Sequence, residues 1–246
     1  MGLIRGHQFT DSGGREVNED SCLLVFEEGR GTCALVADGL GGHGGGAEAS
    51  ALAKDIIYKS FTSEMIEKPE EFNVWFQRAN QSVLAIQTPE VEMKTTLVVL
   101  LIRNKKALWA HIGDSRLYHF EDGVLVEQTF DHSVSQMAVL RGEIEPEEIR
   151  GHVDRNRLLR AIGKGETIQL DVHEEVDLEG ENHAFLLCTD GFWEYVTERE
   201  MEKDLRRSKT PKQWIERMVK RLEKRTRNKD NDNNTAVAVM YEGGVE

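Results

Sequence analysis

Short runs rich in Val, Leu and Ile recur along the chain, at residues 22–26, 32–37, 95–102, 107–112, 184–188 and 235–241. Each has the length of a strand, and turn-forming joins such as Glu28-Gly29-Arg30-Gly31 and Glu121-Asp122-Gly123 bound them. That is the pattern of hairpin-linked strands. Residues 47–67 and 70–86 carry apolar side chains at helical spacing, so two successive helices are expected there. A further helix is expected from Pro211 to about Arg225, because proline suits the first helical turn. The order is strands, a helix pair, more strands, a polar insert over about 131–163, strands, a helix and a final strand. This lacks the strand–helix alternation of a parallel doubly wound sheet. It predicts antiparallel sheets with helices packed on their outer faces, an α+β layered sandwich.

With 246 residues, 39% of them apolar, the chain can bury a substantial core. One domain over residues 1–246 accommodates that length when strands dominate. Only 4 prolines occur and no Ser- or Pro-rich stretch marks a linker. No window approaches the roughly 18 apolar residues of a membrane span, and the opening MGLIRGHQFTDSGG lacks the apolar core of a signal peptide. A cytoplasmic protein with no membrane partner is expected. A net charge of −13 argues against nucleic acid as the main partner, since neutralising phosphates needs a basic face. Cys22, Cys33 and Cys188 each sit in an apolar run and form no CxxC pair. They read as small core residues of a reducing compartment.

The acidic residues are placed unusually. Glu19-Asp20 directly precedes the run at 22, Asp38 directly follows the run at 37, and Asp114 follows the run ending at 112. Asp190 follows the run ending at 188, and Asp232 lies just before the last strand. A single aspartate at a strand end is an ordinary turn former. Several such ends gathered at one edge would repel unless protonated or neutralised by a cation. Oxygen donors without His or Cys companions select Mg²⁺, Mn²⁺ or Ca²⁺ rather than zinc. A calcium-loop reading of Asp230-Asn231-Asp232-Asn233-Asn234 is weaker, because Thr235 stands where an EF-hand loop needs glycine.

Between a strand and a helix lies the glycine-rich run 39–46, in which Gly39, Gly41 and Gly44 match the dinucleotide-binding spacing G-x-G-x-x-G. Asp38 before the first glycine would repel a pyrophosphate, and a second helix follows where that fold needs a strand. The alternative use is support of a cation, because glycine lets the backbone approach closely and its carbonyl can itself be a ligand. Ser115 in Gly113-Asp114-Ser115 lacks the second glycine of a nucleophile elbow, since Leu117 takes that place.

Read in order, the joins spell a pattern: Arg15-Glu16-Val17-Asn18-Glu19-Asp20, Val36-Ala37-Asp38-Gly39-Leu40-Gly41-Gly42-His43, Thr95-Thr96-Leu97, Gly113-Asp114-Ser115-Arg116, Asp131-His132-Ser133, Cys188-Thr189-Asp190-Gly191 and Asp232-Asn233-Asn234-Thr235. These blocks, spread over nearly the whole chain, resemble the bacterial branch of the metal-dependent (PPM, type 2C) serine/threonine protein phosphatases. The resemblance implies a four-layer sandwich, two antiparallel sheets flanked by helix pairs, with two Mn²⁺ or Mg²⁺ ions at one end. It implies that Asp38 bridges both ions, that Glu19 and the Gly39 carbonyl serve one, and that Asp190 and Asp232 serve the other. Asp20 would support them, Asp114 with Asp190 would hold a third, weaker ion, and Arg15 would clamp the substrate phosphate. The insert at 131–163 would be a mobile flap beside the site.

The implied reaction is hydrolysis of phosphoserine and phosphothreonine on proteins, in signal transduction opposite a Ser/Thr kinase, by a monomer. Two ions about 4 Å apart can activate a water for in-line attack on phosphorus, so no covalent enzyme intermediate is needed. Leu40 stands where many eukaryotic relatives carry a histidine proposed as general acid, which leaves that task to His43 or to a metal-held water. Glu194, Lys94 and Asn234 also depart from the usual pattern without removing a principal ligand. An inactive pseudophosphatase that only binds phosphoproteins is the alternative.

Overall fold

The computed structural model describes residues 3–41, 45–88 and 90–243. Two antiparallel sheets face one another. The first runs β1 (Leu3–Asp11), β13 (Asn234–Glu242), β12 (Asn182–Cys188), β8 (Arg116–Glu121), β9 (Val124–Gln128). The second runs β10 (Asp171–Val172), β7 (Lys106–Ile112), β6 (Leu97–Arg103), β3 (Gly31–Ala37), β2 (Ser21–Glu27), and β11 (Val176–Asp177) also pairs with β7. A two-residue ladder joins β4 (Gly39–Leu40) to β5 (Lys94–Thr95).

The strands read as unbroken apolar runs because both of their faces are covered. In β3, Ala34 and Val36 point between the sheets, where they meet Val98, Trp109, Phe185 and Val237. Their neighbours Cys33, Leu35 and Ala37 point outward, into a layer built from α1 (Gly45–Ser63) and α2 (Phe72–Ile86) through Ile57, Trp75 and Phe76. The period of two along a strand sends alternate side chains to opposite faces, and here both faces are oil. On the far side Leu186, Cys188 and Ala238 of the first sheet meet Phe192 and Trp193 of α4 (Asp190–Trp193). The same layer takes in Met201 of α5 (Glu198–Leu205) and Trp214 and Met218 of α6 (Pro211–Thr226). The layers are therefore helix, sheet, sheet, helix, as expected.

Several boundaries differ from the sequence reading. The first helix stops at Ser63 rather than 67, and a short 3₁₀ turn at Pro69–Glu71 leads into α2; the residue before a proline disfavours helical backbone. The strand expected over 95–102 is two pieces parted at Thr96, whose N–H donates to the Asp38 carbonyl while its hydroxyl oxygen accepts the Asp38 N–H and bonds Ser115 Oγ. β1, β8, β9 and α5 were not expected. The insert holds α3 (Val134–Leu140) and a 3₁₀ turn at Pro146–Gly151. Those of its apolar residues that are buried join the main cores instead of forming their own. Ile149 packs with the α5–α6 layer and Ile162 with the α1–α2 layer. No helix among the described residues is long and apolar enough to cross a membrane.

Candidate metal centre

Strand ends from both sheets open onto one cleft of about 380 Å³, whose wall includes Arg15, Glu19, Asp38, Gly39, Asp114, Asp190 and Asp232. The structure thus gathers residues up to 217 positions apart, as in the Arg15–Asp232 contact. Asp20 is not on that wall, and His43 lies outside the described residues.

Asp38 leaves β3 with its backbone pinned on both sides. Its N–H donates to Thr96 Oγ1 (2.9 Å), and its carbonyl accepts from the Thr96 N–H (2.9 Å) and from Thr95 Oγ1 (2.9 Å). The glycines then do steric work. A Cβ on Gly46 would lie 2.7 Å from Gly39 and 2.9 Å from the Glu19 carboxyl carbon, so the start of α1 presses directly on both. Likewise a Cβ on Gly191 would run into the Asn233 carbonyl, which brings the turn of Asp190 against that of Asp232.

The electrostatics are those of a site short of positive charge. Burial, then the charges of Asp20, Asp190, Asp114 and Asp232, push the Asp38 carboxyl well above the usual range. Burial and then Asp190 and Asp131 do the same to Asp114. Asp190 rises to about 6, through burial and then Asp232 and Glu194, against a hydrogen bond with Asp38 that lowers it. Glu19 is raised by burial despite the amides of Ala47 and Gly46 at the start of α1, which favour its charge. Asp20 rises to about 7 by burial, against hydrogen bonds from Thr235 and Thr189. Its Oδ2 accepts from Thr189 Oγ1 (2.9 Å), while its buried Oδ1 finds no protein partner. A dense set of oxygen donors with an orphaned carboxylate oxygen fits hard divalent cations.

Arg15 reaches the same place from the loop after β1. Its Nη2 lies 3.2 Å from Asp232 Oδ2, with both side chains half exposed, so its fork is open to a further anion. Asp11 and Glu16, its neighbours in sequence, are not the partner. The loop's shape comes from Asn233, whose Nδ2 donates to the carbonyls of Ser12 (2.9 Å) and Val17 (3.0 Å) while its Oδ1 accepts the Glu19 N–H (2.8 Å). One amide thus aligns Arg15 and Glu19 together.

Arg116, two residues after Asp114, is committed elsewhere. Its guanidinium pairs in two-pronged fashion with Asp131 (2.7 and 2.8 Å), stacks 3.7 Å above the Trp193 ring and is buried. It therefore does not neutralise Asp114 by direct contact. Glu194 is paired with Arg155 at 2.8 Å. Asn233, Thr189, and the cleft-lining Asn156 and Leu158 were not singled out from the sequence. The Asp232-Asn233-Asn234-Thr235 and Cys188-Thr189-Asp190-Gly191 blocks were usable signals for Asn233 and Thr189, but nothing local marks Asn156 or Leu158.

A family model described as protein phosphatase 2C matches residues 12–232. The chain is 32% identical over 217 residues to the serine/threonine phosphatase stp of Listeria monocytogenes, covering 85% of this chain and 81% of that protein. It is similar in structure to the PPM Ser-Thr phosphatase MsPP of Mycobacterium smegmatis, solved with cacodylate, at a TM-score of 0.80 and 31% identity over 97% of this chain and 98% of that one. It is also similar to the catalytic domain of the serine/threonine protein phosphatase PstP in complex with 2 manganese ions. There the TM-score is 0.81 and the identity 27%, over 98% of this chain and 100% of that one.

Proposed function

The chain belongs to the protein phosphatase 2C family and is a metal-dependent serine/threonine protein phosphatase, and from that premise we propose that its carboxylate cleft holds two Mn²⁺ or Mg²⁺ ions and hydrolyses phosphoserine and phosphothreonine on other proteins. The observation that carries the reading is the convergence of Glu19, Asp38, Asp114, Asp190 and Asp232, each from a different join, on the wall of one cleft. Such an arrangement is costly for a folded chain unless divalent charge is its purpose. Asp38 would bridge the ions, with Glu19 and the Gly39 carbonyl on one and Asp190 and Asp232 on the other. When bound, the ions would lower the pKa of a water and draw charge from the phosphoryl oxygens.

The chain's own residues then divide the remaining work. Arg15 presents a planar fork that suits two phosphate oxygens, and its loose hold on Asp232 lets it turn to them. Asp20 orients the ligands from outside the cleft wall. Asp114, with Asp190, would hold a third, weaker ion, which when bound would supply an acidic water beside the departing serine or threonine oxygen. We take the whole chain to act as one catalytic domain and as a monomer, on phosphoproteins produced by a Ser/Thr kinase.

Turnover of p-nitrophenyl phosphate tests the reading. It should vanish in EDTA, return with Mn²⁺, and not return with zinc. Full turnover after exhaustive chelation would overturn it.

A further inference from the structure

The turn that carries Asp114 is held by a relay the ion chemistry does not account for. Gly113 has φ +106°, and a Cβ there would lie 2.6 Å from Thr96, so glycine alone fits. The Gly113 N–H donates to Nδ1 of His132 (3.1 Å), and the His132 N–H donates back to the Gly113 carbonyl (2.9 Å). Trp193 Nε1 donates to the Asp114 carbonyl (3.0 Å). An amide N–H only donates, so Nδ1 of His132 carries no proton and the neutral ring keeps its proton on Nε2. That Nε2 lies 3.2 Å from Asp171 Oδ2, and the other Asp171 oxygen accepts from Arg160 Nη1 (2.9 Å). His111 stacks on the ring, with centroids 4.6 Å apart and planes 20° apart.

The ligand atoms of His111, His132 and Asp171 lie within 4.8 Å of one another, a spacing open to a metal. Both ring nitrogens of His132 are already engaged, however, and Arg160 supplies the positive charge that Asp171 needs. The trio is better occupied as it stands. It also runs into the insert. The Leu159 N–H donates to the His132 carbonyl (2.7 Å) and the Val134 N–H to the Arg157 carbonyl (3.0 Å), while Asn156 and Leu158 of the same segment line the cleft.

We infer that His132, Asp171 and Arg160 are positioning residues that fix the Gly113–Asp114 turn and tie it to the part of the insert facing the substrate. This rests on the assignment of Asp114 to the third-ion site that supplies the leaving oxygen with its proton. A serine alkoxide needs that proton, whereas p-nitrophenolate departs as a stable anion, so the two substrates separate positioning of Asp114 from general damage.

Asp114→Ala, His132→Phe, Asp171→Ala and Asp171→Asn should be compared on a phosphopeptide and on p-nitrophenyl phosphate, with Mn²⁺ stoichiometry and melting temperature measured for each. His132→Phe should lose about tenfold in kcat on the phosphopeptide, with KM and two tight Mn²⁺ per chain retained and the aryl ester little affected. Asp171→Ala, at a side chain 53% exposed and so safe to fold, should show the same selectivity in milder form, and Asp171→Asn, which keeps an acceptor, should restore it. In the metal-free protein, ¹⁵N shifts of the His132 ring should show Nε2 protonated and Nδ1 bare. Selective loss in Asp114→Ala without it in His132→Phe and Asp171→Ala would overturn the relay alone, as would a ring protonated on Nδ1. Equal loss on both substrates in Asp114→Ala would instead remove the Asp114 assignment and this inference with it.

Discussion

Asp38 lies half-buried on the cleft wall, and the charges of Asp20, Asp190, Asp114 and Asp232 oppose its ionisation. Replacing it should therefore move function and stability in opposite directions. In Asp38→Asn, turnover should fall by well over tenfold, since a proposed bridging charge is lost. The metal-free variant should nonetheless melt higher than the parent, because one member of a group of mutually opposed carboxyl groups is gone. Near-normal turnover in folded Asp38→Asn would refute the bridging role. Asp20→Asn should cost much less activity, because an amide oxygen can still accept from Thr189. Arg15→Lys keeps the charge but not the fork, and its KM for phosphate esters should rise with Mn²⁺ affinity unchanged. A fall in Mn²⁺ affinity instead would make the Arg15 contact with Asp232 a structural one.

The joins between elements, more than the elements, bring the site together. Gly191 opens α4 directly against the residues that precede β13, and a side chain there must push those turns apart. Gly191→Ala should accordingly weaken Mn²⁺ binding measured by calorimetry while leaving far-ultraviolet circular dichroism intact. The insert is tied to the body by part of its apolar content only. Ile149, 3% exposed, is a core residue of the α5–α6 layer, whereas Leu140 of α3 is 66% exposed. Ile149→Ala should cost about 2–4 kcal/mol of unfolding free energy, and Leu140→Ala almost none. Equal small effects in denaturant melts would mean that the insert is detached from the body.

Across the whole molecule, the acidic surplus becomes a stability term that depends on pH and metal. Asp190 and Asp20 have carboxyl groups raised to about 6 and about 7 in the folded chain. The unfolded chain releases those protons near the ordinary aspartate value of about 4. Between the two values the folded state binds more protons than the unfolded one, so stability is full at low pH and lost as pH rises through 6 and 7. Metal-free protein should thus melt progressively lower from about pH 5 to pH 8, and saturating Mn²⁺ should flatten that slope. A metal-free melting temperature that climbs over this range would contradict the charge balance described for the cleft.

The sequence alone determined the sandwich, because strands covered on both faces must be apolar at successive positions, and the central runs of β3, β6, β12 and β13 are. It also placed Asp38, Asp190 and Asp232 at strand ends, and the order of the joins carried the family. It did not disclose β1, β8, β9 or α5, in which polar residues interrupt or shorten the apolar runs. Arg116 and His119 are buried in β8 only because Asp131 and His183 arrive from 15 and 64 residues away. Asp204 of α5 is buried only because Arg221 of α6 meets it. The same holds at the site. Asn233 as the brace of the Arg15 loop, Thr189 as the partner of Asp20, and His132 behind Asp114 all act through contacts between distant segments. Periodicity reports which face of an element is oil, but a polar side chain's partner is set by tertiary packing, and that alone decided which carboxylates share a cleft.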